Sequence, residues 1–171
     1  MVFRIGANGT GFKLLHSFTG GATDGSYPFF GKLVARGSAL YGMSQFSGAD
    51  DAGVIFRINK NGKGFAVLYT FSGDGTNGSS PLGSLIFGGA KLYGLTLQGG
   101  GIFAKGTIFK IDPDGTDFEL LHSFPCASGE GCHPYGDPVY MASKKTGAAL
   151  YGLTFDGGSA DFGVIFSYKL K

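Results

Sequence analysis

Apolar and polar residues alternate along short segments of this 171-residue chain, and glycine-rich turns separate the segments. Such alternation predicts half-buried β-strands, and no stretch carries a convincing helical period. Several segments meet at Asn-Gly or Asp-Gly, as in 60–63 and 113–116. These dipeptides favour hairpins because both central residues of the turn need positive φ. The pattern predicts an all-β protein with twelve or thirteen short strands and less than about a tenth of its residues in helices.

One pair of motifs occurs three times along the chain. A Leu-Tyr-Gly or related strand is followed, 12 or 13 residues after its Tyr, by a Gly that opens an Ile-Phe strand. Phe3, Phe56 and Phe109 are spaced by 53 residues, and Phe166 follows after 57 because 141–147 is an insertion. Four strands repeated in this way are typical of β-propeller blades. A β-solenoid is the alternative, but its coils are shorter and lack paired hairpins.

We therefore expect a β-propeller-like array of four-stranded antiparallel blades, built from three repeats of about 53 residues. Residues 1–171 form a single repeat domain, divided approximately into 2–53, 54–106 and 107–163, with an extra strand at 164–171. Equivalent positions should share one packing environment. The prediction is that Tyr41, Tyr93 and Tyr151 are largely buried, and so are Phe56, Phe109 and Phe166.

The two ends of the chain have complementary strand content. The chain begins with the third and fourth strands of a unit and ends with a first, second and third strand. Incomplete units expose strand edges and apolar faces. We expect the chain to associate with itself, as a homo-oligomer or filament, or with the rest of a longer repeat chain. Because Met1–Ile5 lies within a repeat strand, the chain is either cytoplasmic or a piece of a longer protein, and we favour the second.

Composition removes several classes of partner. Charged residues are 15% of the chain, the net charge is +2, and the lysines are scattered, so no nucleic-acid partner is expected. No apolar run has the length of a membrane helix, so no membrane-spanning segment is expected. Glycine, at 33 residues, is abundant without a collagen period.

The repeated motifs resemble a known family. Leu-Tyr-Gly-x-Thr, a Gly-Gly loop, Gly-x-Ile-Phe-x-Ile, Asp/Asn-Gly and Leu-His-Ser-Phe are similar to the GloVer tandem repeat of bacterial surface-associated and secreted proteins. The resemblance covers nearly the whole chain. It implies a multi-repeat propeller and an extracellular or cell-surface location, and it assigns no molecular function.

Two cysteines, Cys126 and Cys132, flank one Gly-rich loop. In a family that is exported, this pair is interpreted as a local disulfide. Free thiols remain an alternative, and a metal site with the adjacent His133 is a weaker one because the spacing is not a zinc pattern. No metal and no cofactor are predicted.

Candidate catalytic residues occur at equivalent positions of the repeats, whereas a catalytic cluster would usually be present in one repeat alone. His16 and His122 occupy matching positions, with Tyr69 in the third copy, and Asp24, Asn77 and Glu130 are also equivalent. Carboxylates on different repeats would be too far apart for glycoside hydrolysis. We expect a non-enzymatic extracellular module for structural assembly or adhesion. The alternative is a carbohydrate-active enzyme, a lyase or glycosidase, on a propeller scaffold.

The loops between strands supply the candidate binding residues. They are rich in Gly, Ser and Asp with interspersed aromatic residues, a composition that suits carbohydrate or protein surfaces. Asn8 and Asn77 also match the N-glycosylation pattern, but both fall in turns that favour Asn-Gly for backbone reasons. The candidate contacts for a glycan ligand are Asp24, Tyr27, Phe46, Asn77, Phe103, Glu130, His133, Phe155 and Phe162.

Overall fold

The computed structural model describes residues 1–28, 30–72, 74–102, 105–127 and 129–171. Strands make up 52% of the structure, and the described residues contain no helix, which confirms the all-β prediction. The strands are β1 (Val2–Arg4), β2 (Lys13–His16), β3 (Gly25–Ser26), β4 (Val34–Arg36), β5 (Ala39–Ser44), β6 (Phe46–Ser47), β7 (Val54–Asn59), β8 (Ala66–Thr70), β9 (Ser79–Pro81), β10 (Ile86–Gly88), β11 (Lys91–Gln98), β12 (Thr107–Ile111), β13 (Glu119–Ser123), β14 (Gly131–Ser143), β15 (Gly147–Gly157) and β16 (Ile165–Lys169).

These strands form several small antiparallel sheets. The N-terminal sheet is β1-β2, the first central sheet is β4-β5-β7-β8, the second central sheet is β10-β11-β12-β13, and the C-terminal sheet is β14-β15-β16. Strand β9 pairs with β11 in the second central sheet, and β3 pairs with β6 in a separate ladder.

The described residues hold sixteen strands, so the predicted count of twelve or thirteen is wrong. The additional strands are β3, β6 and β9, each of two or three residues. They form because the loop that precedes the first strand of each central sheet pairs with a segment of the second strand's region. Strand β9 pairs with the end of β11, and β3 pairs with β6, which directly follows β5. In the C-terminal sheet the same pairing continues into one long strand, β14, and the insertion at 141–147 lengthens the β14–β15 hairpin.

The Tyr-Gly motif has a steric cause. Gly42 lies opposite Phe56, Gly94 opposite Phe109 and Gly152 opposite Phe166 in the antiparallel registers. In all three sheets a Cβ atom on the glycine would overlap the phenylalanine ring of the neighbouring strand. The ring therefore lies across the glycine, and a larger residue there would displace it.

Apolar side chains on both faces of the central sheets are buried because the sheets pack face to face. We define the leading face of a sheet as the one toward the preceding sheet in the chain, and the trailing face as the opposite one. In the first central sheet, Phe56 and Ile58 on the leading face pack with Val2 and Leu15 of the N-terminal sheet. Tyr41 and Ile55 on its trailing face pack with Phe109 of the second central sheet.

Hairpin turns add to this packing. Gly62, in the turn between β7 and β8, lies against Leu15 of β2, and Gly115, in the turn between β12 and β13, lies against Leu68 of β8. Both glycines have positive φ, which disfavours a side chain. A Cβ atom at Gly115 would overlap the Leu68 carbonyl oxygen at 2.8 Å, and one at Gly62 would be in tight contact with Leu15 at 3.3 Å. The equivalent Gly9 of the N-terminal sheet has no neighbouring atoms around the Cβ position.

The expectation of equal burial at equivalent positions is wrong for the C-terminal sheet. Tyr41 and Tyr93 are buried, but Tyr151 is exposed. Phe56 and Phe109 are likewise buried, whereas Phe166 is only half-buried. Tyr151 is exposed because no other sheet of the described residues covers the trailing face. Phe166 lies on the leading face, and it lacks the fourth-strand ring that Phe65 and Phe118 supply to Phe56 and Phe109.

Candidate functional site

The loop at 19–27 is held in place by the Asp24 carboxylate. Its Oδ2 accepts hydrogen bonds from the backbone N–H and the hydroxyl of Thr19, both at 2.9 Å. Its Oδ1 accepts from the N–H of Gly25 at 2.7 Å and lies 3.0 Å from Nε2 of His16. Burial would raise the pKa of Asp24, but the hydrogen bonds from His16, Thr19 and Gly25 together hold it below its ordinary value.

The loop at 74–80 is held by different side chains at equivalent positions. Burial raises the pKa of Tyr69, and the neighbouring Asn77 side chain opposes that rise. The exposed Asp74 accepts hydrogen bonds from Ser72 and Thr76, which lower its pKa. Thus His16–Asp24 in the first loop corresponds to Tyr69–Asn77 in the second.

The third loop is held by a covalent bond. Cys126 and Cys132 form a disulfide, as predicted, and the described residues contain no free cysteine. Glu130, which is equivalent to Asp24 and Asn77, is exposed. In this loop the disulfide takes the place of the polar contacts that fix the other two.

Three further candidates, Tyr27, Phe46 and His133, lie where the loops meet the strands. Tyr27, Ser80 and His133 are equivalent and share positive φ, at 53°, 52° and 50°, which is unusual for residues other than glycine. The Tyr27 and Phe46 rings are in edge-to-face contact, with centroids 5.6 Å apart. At the equivalent place in the C-terminal sheet, Nδ1 of His133 lies 2.8 Å from Oδ1 of Asp156.

The His133–Asp156 pair borders an open cavity of about 340 Å³. Its other lining residues are Leu97 and Gln98 of β11, Tyr135 of β14 and Phe155 of β15. The Phe155 side chain is largely exposed, and so is that of Phe162. Sequence reasoning missed Asp156 as the partner of His133, because 23 residues separate them and the β14–β15 hairpin brings them together. Phe103 lies outside the described residues.

The structure thus divides the predicted binding residues among separate places. Asp24, Tyr27 and Phe46 lie around the first loop, Asn77 lies in the second, and His133 and Phe155 border one cavity. Asn8 accepts hydrogen bonds from Thr10 through its side chain, within its turn. Among the described residues, no group of three or more His, Cys, Asp or Glu side chains could hold a metal ion.

Both terminal sheet faces carry exposed apolar side chains. On the trailing face of the C-terminal sheet, Ile165 is 82% exposed, whereas the equivalent Ile55 and Ile108 are 0% and 1% exposed. On the leading face of the N-terminal sheet, Phe3 is 50% exposed, whereas Phe56 and Phe109 are 1% and 0% exposed. Tyr151 and Leu153 extend the first surface, and Ile5 and Phe12 extend the second.

Aromatic stacking shows the same contrast. The rings of His16 and Phe65 stack across one interface with centroids 3.8 Å apart, and those of Tyr69 and Phe118 do so across the next at 3.8 Å. The next equivalent residue, His122, lies 5.9 Å from Tyr168 in a tilted arrangement. Phe12, which is equivalent to Phe65 and Phe118, is 61% exposed.

The fold and its faces define an all-β protein of stacked antiparallel sheets with an apolar face at each end. The chain belongs to the Gloeobacter/Verrucomicrobia repeat family, whose family model matches residues 1–171. This membership confirms the resemblance found in the sequence. No curated protein matches the chain. In the described part of the chain, no helix is both long and apolar enough to span a membrane.

Proposed function

We propose that this protein is a non-enzymatic, extracellular repeat module that associates with itself through its two terminal sheets. In this proposal the sheets are propeller-like blades derived from three repeats of about 53 residues. The observation that carries the proposal is that residues buried inside the chain recur, exposed, on the two terminal faces. Ile165 and Phe3 are the clearest of these residues.

The internal interfaces supply a template for the proposed contact. A trailing face packs against a leading face three times within the chain. The contacts join Val2 to Phe56, Ile55 to Phe109, and Ile108 to Phe166. The exposed terminal faces carry residues equivalent to those of the internal interfaces. One of them is a trailing face and the other is a leading face. A trailing face meeting a leading face is a heterologous contact, so repeated association builds rings or filaments.

Two observations support the rest of the proposal. A disulfide is typical of proteins that reside in an oxidising compartment, which favours an extracellular location. The carboxylate of Asp24 is fully engaged in holding its loop, so we assign it a structural role and not a catalytic one. Assembly of such modules at a cell surface would serve a structural or adhesive function.

Sedimentation velocity tests self-association. The unmodified chain should show a sedimentation coefficient that rises with protein concentration. Leu153→Arg places a charge on the trailing terminal face and should abolish that rise. Ile102→Arg is the matched control, because Ile102 is exposed in a loop outside both faces, and it should behave like the unmodified chain. A coefficient that does not depend on concentration would refute self-association.

A second candidate function is glycan binding at the cavity beside His133. Exposed aromatic rings next to polar groups suit sugar rings, and Phe155, Tyr135, Asp156 and Gln98 provide that combination. A glycan array should give signals that Phe155→Ala removes and that Ile102→Ala, at an exposed apolar residue outside the cavity lining, retains. A parallel panel of glycosidase and lyase substrates tests the enzymatic alternative, and turnover by the unmodified chain would overturn the non-enzymatic proposal.

A further inference from the structure

Strand β1 has an open edge where the central sheets have a second strand. In the sheets with three or more strands, the Ile-Phe strand pairs on one side with the Tyr-Gly strand, as β7 does with β5 and β12 with β11. Strand β1 pairs with β2 on its other side, and the structure gives it no Tyr-Gly partner among the described residues. Phe3 therefore has no glycine opposite its ring.

The space beside this edge is a cavity of about 280 Å³. It is lined by Phe3 of β1, by Met43 and Phe56 of the first central sheet, and by Leu33, which immediately precedes β4. Leu33 is 39% exposed, whereas Leu85, which contacts the equivalent glycine–phenylalanine pair in the second central sheet, is 0% exposed. Leu85 belongs to the cluster that includes Tyr41 and Met43 of the preceding second strand. The cavity thus corresponds in position to the second strand of the central sheets.

Strand β15 has the residues to fill that place. It carries Tyr151 and Leu153, which correspond to Tyr41 and Met43 and are exposed at present. Its Gly152 would lie opposite Phe3, as Gly42 lies opposite Phe56. However, β15 already pairs with β16, which is the third strand of its own sheet.

The sequence of β1 fits that third-strand position better than that of β16. Arg57 and Lys110 lie opposite Tyr41 and Tyr93 in the central sheets, and Ile58 and Ile111 follow one residue later. Arg4 at the end of β1 and Ile5 just after it occupy these positions, whereas β16 has Ser167 and Tyr168. The hairpin β1–β2 also brings Phe12, whose equivalents stack on the preceding His16 and Tyr69 at 3.8 Å. His122, with Tyr168 at 5.9 Å, lacks such a stack.

We infer that β16 is a replaceable strand, and that the β1–β2 hairpin of a second copy takes its place beside β15. This strand exchange rests on the proposed self-association and specifies its partner and register. The product is a four-stranded sheet, β14-β15 of one copy with β1-β2 of the next, in which Tyr151 pairs with Arg4, and Gly152 with Phe3. Tyr151 and Leu153 then fill the cavity beside Leu33, while the segment containing β16 is released. Hydrogen bonds between main chains replace those lost from β16, as in other cases of β-augmentation.

Amide hydrogen exchange on the unmodified chain tests the inference. As association proceeds with rising concentration, exchange should become slower in β1 and β2 and faster in β16. If the terminal faces simply stack, β16 remains paired and its exchange slows or stays constant, and that result would overturn strand exchange while leaving self-association intact. Absence of any concentration-dependent change in β1 would contradict both proposals.

Paired cysteines test the register independently. The Arg4→Cys, Tyr151→Cys double variant should form covalent dimers and higher multimers on a denaturing, non-reducing gel. The Arg57→Cys, Tyr41→Cys double variant is the matched control within one sheet and should form an internal disulfide only. Internal cross-linking of the 4/151 variant would show that the chain closes on itself and would overturn exchange with a second copy. Cross-linking by Arg4→Cys alone to the same extent would also overturn the assigned register.

Discussion

The interior interfaces and the terminal faces are made of the same residues in different surroundings. Ile55 and Ile108 are enclosed by the following sheet, and Ile165, at the same position of the motif, is 82% exposed. The difference lies in the neighbour, because the strand pairing of Leu153 with Ile165 matches that of Met43 with Ile55. The comparison teaches that in a repeat protein the motif determines the strand, whereas burial depends on the next unit.

The largest expected difference is at the phenylalanine that lies across the Tyr-Gly glycine. Phe109→Ala should lower the free energy of unfolding by about 3–5 kcal/mol, because a fully buried ring is replaced by a cavity. Phe3→Ala, at the half-exposed equivalent, should cost less than about 1 kcal/mol in dilute solution. Urea unfolding of both variants measures this, and equal losses would show that Phe3 is covered in the monomer.

The next comparison is between the loop closed by the Cys126–Cys132 disulfide and the two loops held by polar side chains. Cys126→Ser with Cys132→Ser should lower the free energy of unfolding by about 2 kcal/mol, since a short loop is no longer restrained in the unfolded chain. Thermal unfolding with and without a reductant provides the measurement. A reductant should leave the double variant unchanged, and an unmodified chain that is indifferent to reduction would refute a stabilising role for the disulfide.

Aromatic stacking should contribute less to the free energy of unfolding. Its contribution should still differ between the interface of the two central sheets and the interface with the C-terminal sheet. A double-mutant cycle on Tyr69 and Phe118, whose centroids are 3.8 Å apart, should give a coupling energy of about 0.5–1.5 kcal/mol. The same cycle on His122 and Tyr168, which are 5.9 Å apart and tilted, should give a smaller one. Similar coupling energies for the two pairs would mean that both interfaces are packed equally well.

The smallest effect concerns pH and the Asp24 loop. Because the folded-state pKa of Asp24 lies below its ordinary value of 3.8, its stabilisation is present above that value and is lost as the pH falls through the folded-state pKa. Asp24→Asn copies the residue at the equivalent position 77 and cannot titrate. Acid titration of unfolding should show a larger loss below about pH 4 for the unmodified chain than for Asp24→Asn. Parallel curves would contradict this role of Asp24.

The repeated motifs predicted the strands because their causes are local. Alternation, Asn-Gly turns and the Gly opposite a Phe depend on residues within one hairpin, and β5, β11 and β15 all contain the predicted Tyr-Gly pair. The exposure of Tyr151 could not be read from the same motif, because it depends on whether another sheet follows.

The sequence predicted the side-chain partners within the loops only in part. The sets His16, Tyr69 and Asp24, Asn77 were each recognised as equivalent, but their pairing was not. A usable signal was present, since His with Asp changes to Tyr with Asn together from one repeat to the next. His133 and Asp156 gave no such signal, because the insertion at 141–147 lies between them and alters the spacing.

The central claim is that the two terminal faces become buried on association, as the equivalent interior faces are buried within the chain. The rate of thiol labelling measures that burial most directly. Met43→Cys and Leu153→Cys place one thiol at equivalent positions of an interior and a terminal sheet, where Met43 is 8% and Leu153 is 56% exposed. The account predicts fast alkylation at position 153 in dilute solution, slowing as the protein concentration rises, and slow alkylation at position 43 throughout. If position 153 reacts equally fast at every concentration, or position 43 reacts as fast as 153, the claim is contradicted.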